Sequence, residues 1–403
     1  MMSPDDPNFD ERMARRVRLR TAGSEKLLLV RGEARHTAFR FTDSLLLRHV
    51  LILGATGSGK TNHAFSAVQQ AVADRPKSCL IVDVKSEYRK LDGMVREPVR
   101  PIAVGDEPRV SFNPLIPPAS VEPDLWDRAF IDVFTRAYGL SEPSRRILLD
   151  CLWSLRQESR GSPTLRELES EVGRFKAGSS KEQNSQRSLE SRLHIINMGP
   201  VGRSLNSEQA LDFASMEDRV TVYEVGQIDS LRDQRFLAEV VLAQLWQYDK
   251  ARALRDDGDG EKLRRLIVVE EAHRYLSEER PPQQRGERTL LELAIAEARR
   301  YGWGFIIVDQ MPTLLSRYVW DNCGTVIAHR LTNLQSYEAV KNALGGDPLP
   351  GENDANGDPL ALRLPEDLAL FRRYVERGAR QAGTGFAYVE KMKQVSDGEQ
   401  HRS

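Results

Sequence analysis

The sequence predicts an α/β fold in which helices cover both faces of a mostly parallel sheet. Short runs of β-branched and aliphatic residues recur along the chain, and stretches of helical periodicity separate them. That alternation is typical of parallel strands joined by helical crossovers. One run also leads directly into a glycine-rich turn and then into a helix. The second observation indicates that the sheet is built around a phosphate-binding loop.

The composition is that of an ordinary globular protein with some excess of charged residues. The 403 residues are 40% hydrophobic and 29% charged, and the formal net charge is -1. Because the chain has no overall basic field, any contact with nucleic acid would need a local groove of Lys and Arg. The three cysteines are widely spaced and fit no zinc or disulfide pattern. No apolar run approaches bilayer length, so we expect a cytoplasmic protein with no membrane insertion.

The N-terminal part divides into a polar head and a short β segment. Residues 1–22 are polar and Arg-rich, and we interpret them as a flexible segment. Residues 27–30 and 38–41 are apolar runs on either side of a turn that contains Gly32. This pattern predicts a β-hairpin that leads into the next strand. The hairpin and the first part of the core would together span residues 23–119.

The glycine-rich turn follows the apolar run that ends at Leu53. It matches the pattern of Gly, four residues, then Gly-Lys-Thr, in which backbone N–H groups bind phosphate oxygens. Lys60 would reach the β- and γ-phosphates of ATP, and the hydroxyl of Thr61 would bind Mg²⁺. The predicted nucleotide-binding residues are Gly54, Ala55, Thr56, Gly57, Ser58, Gly59, Lys60, Thr61 and Asn62.

A helical segment interrupts the α/β alternation. Between residues 120 and 216, apolar residues recur at spacings of three and four, as in Trp126, Phe130 and Phe134. We interpret this segment as an all-α insertion. The second part of the core would then span residues 217–392, and a flexible C-terminal tail would span 393–403.

Polar side chains follow several of the predicted strands at the point where each strand ends. The strand at 266–269 is followed by Glu270 and Glu271, the strand at 305–308 by Asp309 and Gln310, and the strand at 325–328 by His329 and Arg330. The carboxyl ends of parallel strands meet at one edge of a sheet, which is where ligands bind in open α/β folds. We therefore expect a catalytic edge beside the phosphate-binding loop.

Glu270 and Glu271 resemble the second acidic motif of ATPases with such a loop. We assign Glu270 to the water shell of Mg²⁺ and Glu271 to the general base that activates water. Asp is commoner at the first position, so the two roles could shift by one residue. Gln310 would hydrogen-bond the γ-phosphate or the attacking water, although a buried amide paired within the protein is the alternative.

Asp83 and Glu87 follow another apolar strand. Either carboxylate could order the loop or polarise water, and a cap at Asp83 or Ser86 is an equally good interpretation.

Three arginines are candidates for a role between subunits. Arg299 and Arg300 precede a tight glycine-containing connection into the next strand, which places them at the sheet edge opposite the phosphate-binding loop. In a ring they could reach the nucleotide of a neighbouring subunit and stabilise charge there. Arg330 is a further candidate. For each arginine, the alternative is an interaction with the dipole at the C-terminus of a helix, or a surface ion pair.

Several motifs together resemble the HerA branch of the HerA/FtsK superfamily of DNA-pumping ATPases. The resemblance is carried by residues 48–61 (RHVLILGATGSGKT), 83–88 (DVKSEY), 112–115 (FNPL), 268–273 (VVEEAH), 297–302 (EARRYG) and 328–330 (AHR). They occur in the family's order between about residue 25 and about residue 390.

The resemblance implies a RecA-like core, a homohexameric ring and ATP-driven movement of double-stranded DNA through it. It also implies a trans-acting arginine at Arg299 or Arg300 and a partner such as a nuclease or an anti-phage effector. In full HerA proteins an N-terminal β-barrel precedes the core, and here it is reduced to the predicted hairpin. Two other functions stay open: a conjugative type IV coupling DNA pump, and an ATP-gated scaffold that regulates an effector.

Overall fold

The computed structural model describes residues 26–30, 41–73, 77–104, 110–158, 161–253, 262–278, 288–329, 331, 333–343 and 386–391. The strands within these ranges are β1 Lys26–Val30, β2 Val50–Leu53, β3 Ser78–Asp83, β4 Arg100–Ala103, β5 Val220–Glu224, β6 Arg265–Glu270, β7 Trp303–Asp309, β8 Thr325–His329 and β9 Phe386–Lys391. They form one sheet in the order β1-β9-β8-β2-β7-β6-β3-β5-β4.

Seven neighbouring strands of this sheet, from β8 to β4, are parallel. Strand β2 lies between β7 and β8, with Leu53 opposite Asp309 on one side and Ala328 on the other. Strand β6 lies beside β7, with Glu270 opposite Val308. The carboxyl ends of β2, β6, β7 and β8 therefore lie side by side. The predicted α/β fold with a mostly parallel sheet is confirmed.

The helices lie between the strands along the chain. They are α1 Asp43–Leu46, α2 Lys60–Ala73, α3 Pro123–Tyr138, α4 Glu142–Glu158, α5 Leu165–Arg174, α6 Ser180–Asn197, α7 Gly199–Leu205, α8 Leu231–Ala253, α9 Leu290–Glu297, α10 Arg317–Asn322 and α11 Leu334–Ala343. Helix α9 ends at Glu297 and continues as a 3-10 turn, Ala298–Tyr301. No helix among the described residues is long and apolar enough to cross a bilayer.

Alternate residues of the central strands face opposite sides of the sheet. In β2, Leu51 and Leu53 join one buried cluster and Val50 and Ile52 the other, as the two-residue period of a strand requires. Helices α3, α8 and α9 cover the first face, and α1 and α2 cover the second. Because both faces are covered, the central strands are apolar along their whole length.

The segment between β4 and β5 consists of α3 to α7 and contains no strand in its described residues. These helices agree with the predicted all-α insertion, whose bounds at residues 120 and 216 stay a prediction. It is not a separate globule, because Phe130 and Phe134 of α3 pack edge-on against Phe236 of α8, with ring centroids 6.1 and 5.3 Å apart. The insertion therefore shares the core that lies under the sheet.

The N-terminal strand has a partner that the sequence did not predict. Strand β1 pairs antiparallel with β9, with Lys26 opposite Lys391 and Val30 opposite Ala387. Of the residues expected to form the other half of a hairpin, 38–40 lie outside the described ranges and Phe41 is not in a strand. The partner predicted for β1 therefore lies almost entirely outside the described residues, and a local hairpin signal cannot reveal the additional pairing with the far end of the chain.

Candidate nucleotide-binding and hydrolysis site

The phosphate-binding loop joins the carboxyl end of β2 to the first turn of α2. The N–H of Gly54 donates to the carbonyl of Asp309 at 3.2 Å, which fixes the start of the loop against β7. Gly54 has φ of 155°. A Cβ at this position would lie 2.5 Å from Cβ of His329 and 2.6 Å from Oγ of Ser58. Only glycine fits there, so the loop can lie directly against the end of β8.

Lys60 is the first residue of α2 and is buried. Its Nζ donates to the carbonyl oxygens of Gly54 and Ala55 at 2.7 and 2.9 Å. Burial lowers the pKa of Lys60, as does the ammonium of Lys85, while the carboxylate of Glu271 acts in the opposite direction. The charged end of Lys60 thus lies inside the curve of the loop, where phosphate oxygens could replace the two carbonyls as partners.

The side chains that follow Lys60 differ in their surroundings. The hydroxyl of Thr61 lies 3.4 Å from Oε2 of Glu87, to which it donates, and Asn62 is exposed. Of the two carboxylates left open by the sequence, Glu87 is therefore the one that contacts the loop helix. Asp83 instead accepts hydrogen bonds from the N–H groups of Lys85 and Tyr88 at 2.9 and 2.8 Å, so it caps the turn after β3.

Glu270 and Glu271 lie at the end of β6, and both are buried. Glu271 has φ of 50° and ψ of 49°, a left-handed conformation that is strained for a residue with a side chain. Its Oε2 accepts a hydrogen bond from Nε2 of Gln310 at 2.9 Å, and its Oε1 is paired with the ammonium of Lys85. The strained backbone turns this carboxylate out of the strand and toward β7.

The carboxylate of Glu270 has an oxygen that no protein group in the described part of the chain satisfies and that a metal ion could. Its Oε2 is buried and has no hydrogen-bond donor among the described residues, which is costly for a carboxylate oxygen, and the neighbouring Asp83 carboxyl can only accept a proton that Glu270 itself carries. Burial raises the pKa of Glu270 to about 7, the Lys85 ammonium opposes this, and the carboxyl of Asp83 adds to it. Mg²⁺ or its bound water would satisfy the unpaired oxygen, with the Thr61 hydroxyl as a second protein ligand.

Gln310 connects the loop to the acidic pair. Its Oε1 accepts a hydrogen bond from Oγ1 of Thr56 at 2.7 Å, while its Nε2 donates to Glu271. The predicted alternatives were a contact to phosphate or water and an amide paired within the protein. In this structure the amide is paired, and its two partners are a loop residue and the candidate general base.

Asp309 and His273 form a second link at the same edge. Asp309 is buried, and its Oδ2 accepts hydrogen bonds from the backbone N–H of His273 at 2.6 Å and from Nδ1 at 3.0 Å. Burial opposes protonation of this imidazole, but the Asp309 carboxylate and then Glu271 raise the pKa of His273 overall. This pair holds the turn after β6 against β7 and so supports Glu271.

His329 supports the loop from the side of β8. Its Nδ1 lies 2.7 Å from the carbonyl oxygen of Ser58, so Nδ1 must carry the proton. Burial lowers the pKa of His329 to about 3, with a further contribution from His63, whose ring lies edge-on at 4.7 Å. The imidazole is therefore neutral and donates a hydrogen bond to the loop.

The arginines occupy the opposite edge of the sheet, or lie outside the described residues. Arg299 and Arg300 lie in the 3-10 turn before the amino end of β7, and both are exposed. The guanidinium of Arg300 lies 5.8 Å from the centre of the Tyr301 ring. Strand β7 separates this turn from the loop, a distance of roughly 20 Å at 3.3 Å per residue. Arg330 lies outside the described residues.

The site also contains three side chains that sequence reasoning did not assign to it. Lys85 contacts both glutamates, Asp309 positions His273, and His329 holds the loop. A signal existed for two of them, because Asp309 and His329 end strands next to β2. Lys85 lies in a turn, and no pattern in the sequence predicts where a lysine in a turn will point.

Comparison with known proteins agrees with this geometry. The family described as helicase HerA, central domain, matches residues 36–245, just over half of the 403-residue chain. The chain is 22% identical over 393 residues to the DNA double-strand break repair helicase HerA of Pyrococcus furiosus, covering 85% of this chain and 68% of that protein.

Solved structures with a similar fold include VirB4 and TrwB. VirB4 of Thermoanaerobacter pseudethanolicus matches with a TM-score of 0.54 and 17% identity, over 78% of this chain and 84% of that one. The bacterial conjugative coupling protein TrwB matches with a TM-score of 0.56 and 15% identity, over 77% of each chain. The predicted RecA-like core is confirmed, and this chain belongs to the HerA central-domain family, as a P-loop ATPase of the HerA/FtsK type.

Proposed function

We propose that this protein is a cytoplasmic, ring-forming ATPase that moves along double-stranded DNA and works with a nuclease or another effector. The observation that carries the proposal is the bridge from Thr56 through Gln310 to Glu271. It connects the loop that would hold the γ-phosphate to the carboxylate that would activate water. Such a connection is of use to an enzyme that hydrolyses ATP, and a protein that only binds nucleotide does not need it.

The chain's own residues account for the hydrolytic step. Backbone N–H groups of the loop and the ammonium of Lys60 would bind the β- and γ-phosphates. Glu271 would accept a proton from the attacking water, and Gln310 would orient that water while it holds Glu271. Mg²⁺, when bound at Glu270 and Thr61, would neutralise charge on the phosphates. A structure of TrwB was solved with ADP and Mg²⁺, which supports the same ligands here.

The ring is proposed from the position of the exposed arginines. Arg299 and Arg300 cannot reach the loop of their own subunit, because β7 lies between them and that loop. A closed head-to-tail ring joins two different surfaces of neighbouring subunits, and we propose that the amino edge of one sheet faces the carboxyl edge of the next. An arginine there would stabilise negative charge on the neighbour's transferring phosphoryl group. A site completed by the next subunit would make hydrolysis dependent on assembly.

The relatives support the DNA part of the proposal, and the resemblance to the HerA branch supports the effector part. One curated relative is named as a helicase of double-strand break repair, and similar folds occur in conjugative coupling proteins. The test is ATP turnover with and without duplex DNA, together with the mass of the particle by light scattering. We expect a hexamer whose ATP turnover rises when duplex DNA is added. A monomer whose ATP turnover does not change with DNA would contradict the proposal of a translocase.

A variant separates the translocase from a nucleotide-gated scaffold. Glu271→Ala removes the general base and leaves the loop intact, so it should bind ATP and assemble but not hydrolyse. The translocase predicts that this variant loses biological activity. If rings of Glu271→Ala kept full activity with the effector, the scaffold function would replace the proposal.

A further inference from the structure

Lys85 lies between the two acidic residues of the site. Its Nζ is paired with Oε1 of Glu271 and lies 3.6 Å from Oε1 of Glu270. The side chain is 37% exposed, whereas both carboxylates are nearly inaccessible. The ammonium therefore reaches the buried glutamates from the rim of the site, where other partners can compete for it.

The backbone that carries Lys85 is held in place from two sides. The carboxylate of Asp83 accepts the N–H groups of Lys85 and Tyr88, at 2.9 and 2.8 Å, which closes the turn between them. On the other side Gly226 packs against the turn, since a Cβ there would lie 2.0 Å from the carbonyl oxygen of Val84. The turn leaves the side chain free to move while its starting point stays fixed.

This contact matters because Glu271 already has a donor on its other oxygen. Gln310 occupies Oε2 and Lys85 occupies Oε1. A carboxylate that must accept a proton from water is a weaker acceptor when an ammonium holds it, because the charge-assisted hydrogen bond stabilises its ionised form. Gln310, a neutral donor, constrains Glu271 much less. Lys85 is the group whose departure would change the chemistry of Glu271 most.

A second ammonium lies close enough to affect Lys85. The positive charges of Lys60 and Lys85 oppose one another, and this repulsion contributes to the lowered pKa of Lys60. Phosphate oxygens placed at Lys60 would therefore also attract Lys85. Negative charge in the loop gives Lys85 a competing partner and loosens its hold on Glu271.

We propose that Lys85 is a positioning residue that restrains Glu271 and releases it when negative charge fills the phosphate-binding loop. The proposal rests on Glu271 being the general base of the proposed ATPase. In this proposal the turn after β3, which carries Lys85, limits the rate of ATP hydrolysis in the absence of DNA and does not affect nucleotide binding. Without the restraint, the enzyme would turn over ATP faster when no DNA is present.

The test compares three variants of the full chain in DNA-free ATP hydrolysis. Lys85→Met removes the ammonium and keeps the length of the side chain, and we expect kcat to rise about three- to tenfold with KM within about twofold. Lys85→Arg keeps a cation and should give a smaller rise. Lys90→Met, in the exposed part of the following turn, removes a nearby charge without touching the glutamates and should leave both constants unchanged.

Two kinetic outcomes would overturn the proposal. A fall in kcat for Lys85→Met would show that the lysine assists the reaction and does not restrain it. A rise in KM with kcat unchanged would make Lys85 a phosphate ligand.

An unfolding experiment tests the pair without using activity. The thermal midpoints of wild type, Lys85→Met, Glu271→Gln and the double variant form a double-mutant cycle. We expect the thermal midpoint of the double variant to lie several degrees above the value that the two single changes add up to. If the changes in thermal midpoint were additive, Lys85 and Glu271 would not interact. If wild type fails to hydrolyse ATP, the proposed function is wrong, and this cycle still decides whether Lys85 holds Glu271.

Discussion

Oγ1 of Thr56 donates a hydrogen bond of 2.7 Å to Oε1 of Gln310, although the two residues are 254 positions apart in the chain. The contact joins the tip of the phosphate-binding loop to the residue after β7. Since the same amide donates to Glu271, a shift of the loop is passed to the candidate base through a single side chain. This arrangement makes Gln310 the natural place to separate nucleotide binding from hydrolysis.

We predict that Gln310→Ala lowers kcat for ATP by roughly 10²-fold, the cost of removing one donor from a catalytic site, while ATP affinity changes little. Thr56→Val removes only one of the two bonds and should give a smaller loss. Steady-state turnover and binding of a fluorescent ATP analogue measure the two effects. Equal losses of affinity and turnover in Gln310→Ala would mean that the amide acts on binding.

The protonation of Glu270 should make stability fall as pH rises. Burial raises its pKa from 4.5 to about 7, so between these values the folded protein keeps a proton that the unfolded chain releases. The stabilisation is complete below about pH 4.5 and is lost as pH rises through about 7. At most it is on the order of 3 kcal/mol. Glu270→Gln should therefore gain stability relative to wild type as pH increases.

Urea unfolding of both proteins between pH 5 and 8 measures that difference. The difference is needed because His49 and His329, whose pKa values are lowered to about 4 and about 3 mainly by burial, act in the opposite direction at acid pH. The exposed Glu158 provides a matched control as Glu158→Gln. A constant gap between Glu270→Gln and wild type would show that Glu270 stays ionised.

His329→Ala should weaken both nucleotide binding and the fold. The substitution removes the donor to the Ser58 carbonyl and the wall against which Gly54 packs. We expect the dissociation constant for ATP to rise about tenfold, while the buried hydrogen bond costs roughly 1 to 3 kcal/mol of stability. Calorimetric titration and thermal unfolding give the two values. His194→Ala, on the exposed face of α6, should change neither.

Mixed assemblies can show which arginine acts between subunits. Arg299→Ala and Arg300→Ala each leave the subunit's own loop and Glu271 intact, whereas Glu271→Gln leaves the arginines intact. If one arginine completes the neighbour's site, mixing that variant with Glu271→Gln subunits should restore part of the turnover that each lacks alone. Arg317→Ala, a substitution at a highly exposed arginine, is the control. If neither arginine variant regained turnover when mixed with Glu271→Gln subunits, the proposal that an arginine acts on the neighbouring subunit's site would be contradicted.

Much of the site follows from two features of the sequence. The loop pattern and the apolar strands predict that Thr56, Glu271 and Gln310 lie at the same edge of the sheet, because parallel strands end at one edge. The identity of their hydrogen bonds does not follow. Gln310 could equally have pointed to solvent, and its bond to Glu271 depends on the backbone of Glu271, whose left-handed φ of 50° no propensity predicts.

Pairings between distant segments were the hardest to predict. Strand β9 was not predicted as a strand, and β1 was paired with its nearest neighbour in sequence because turn signals are local. The register of β1 against β9, with Leu28 opposite Val389, is set by the edge of a sheet that only the folded protein has. Lys85 was missed for a related reason, since its direction depends on a turn closed by Asp83.

The left-handed backbone at Glu271 places conformational strain on the candidate general base. A conformation of this kind costs on the order of 1 kcal/mol or more, and Asn or Gly adopts it at lower cost. Glu271→Gly should therefore melt at a higher temperature than Glu271→Ala, because both variants lose the contacts with Lys85 and Gln310 and only Gly avoids the strain. Neither variant keeps the carboxylate, so neither should hydrolyse ATP, and the difference between their thermal midpoints measures the strain that wild type carries at its candidate base.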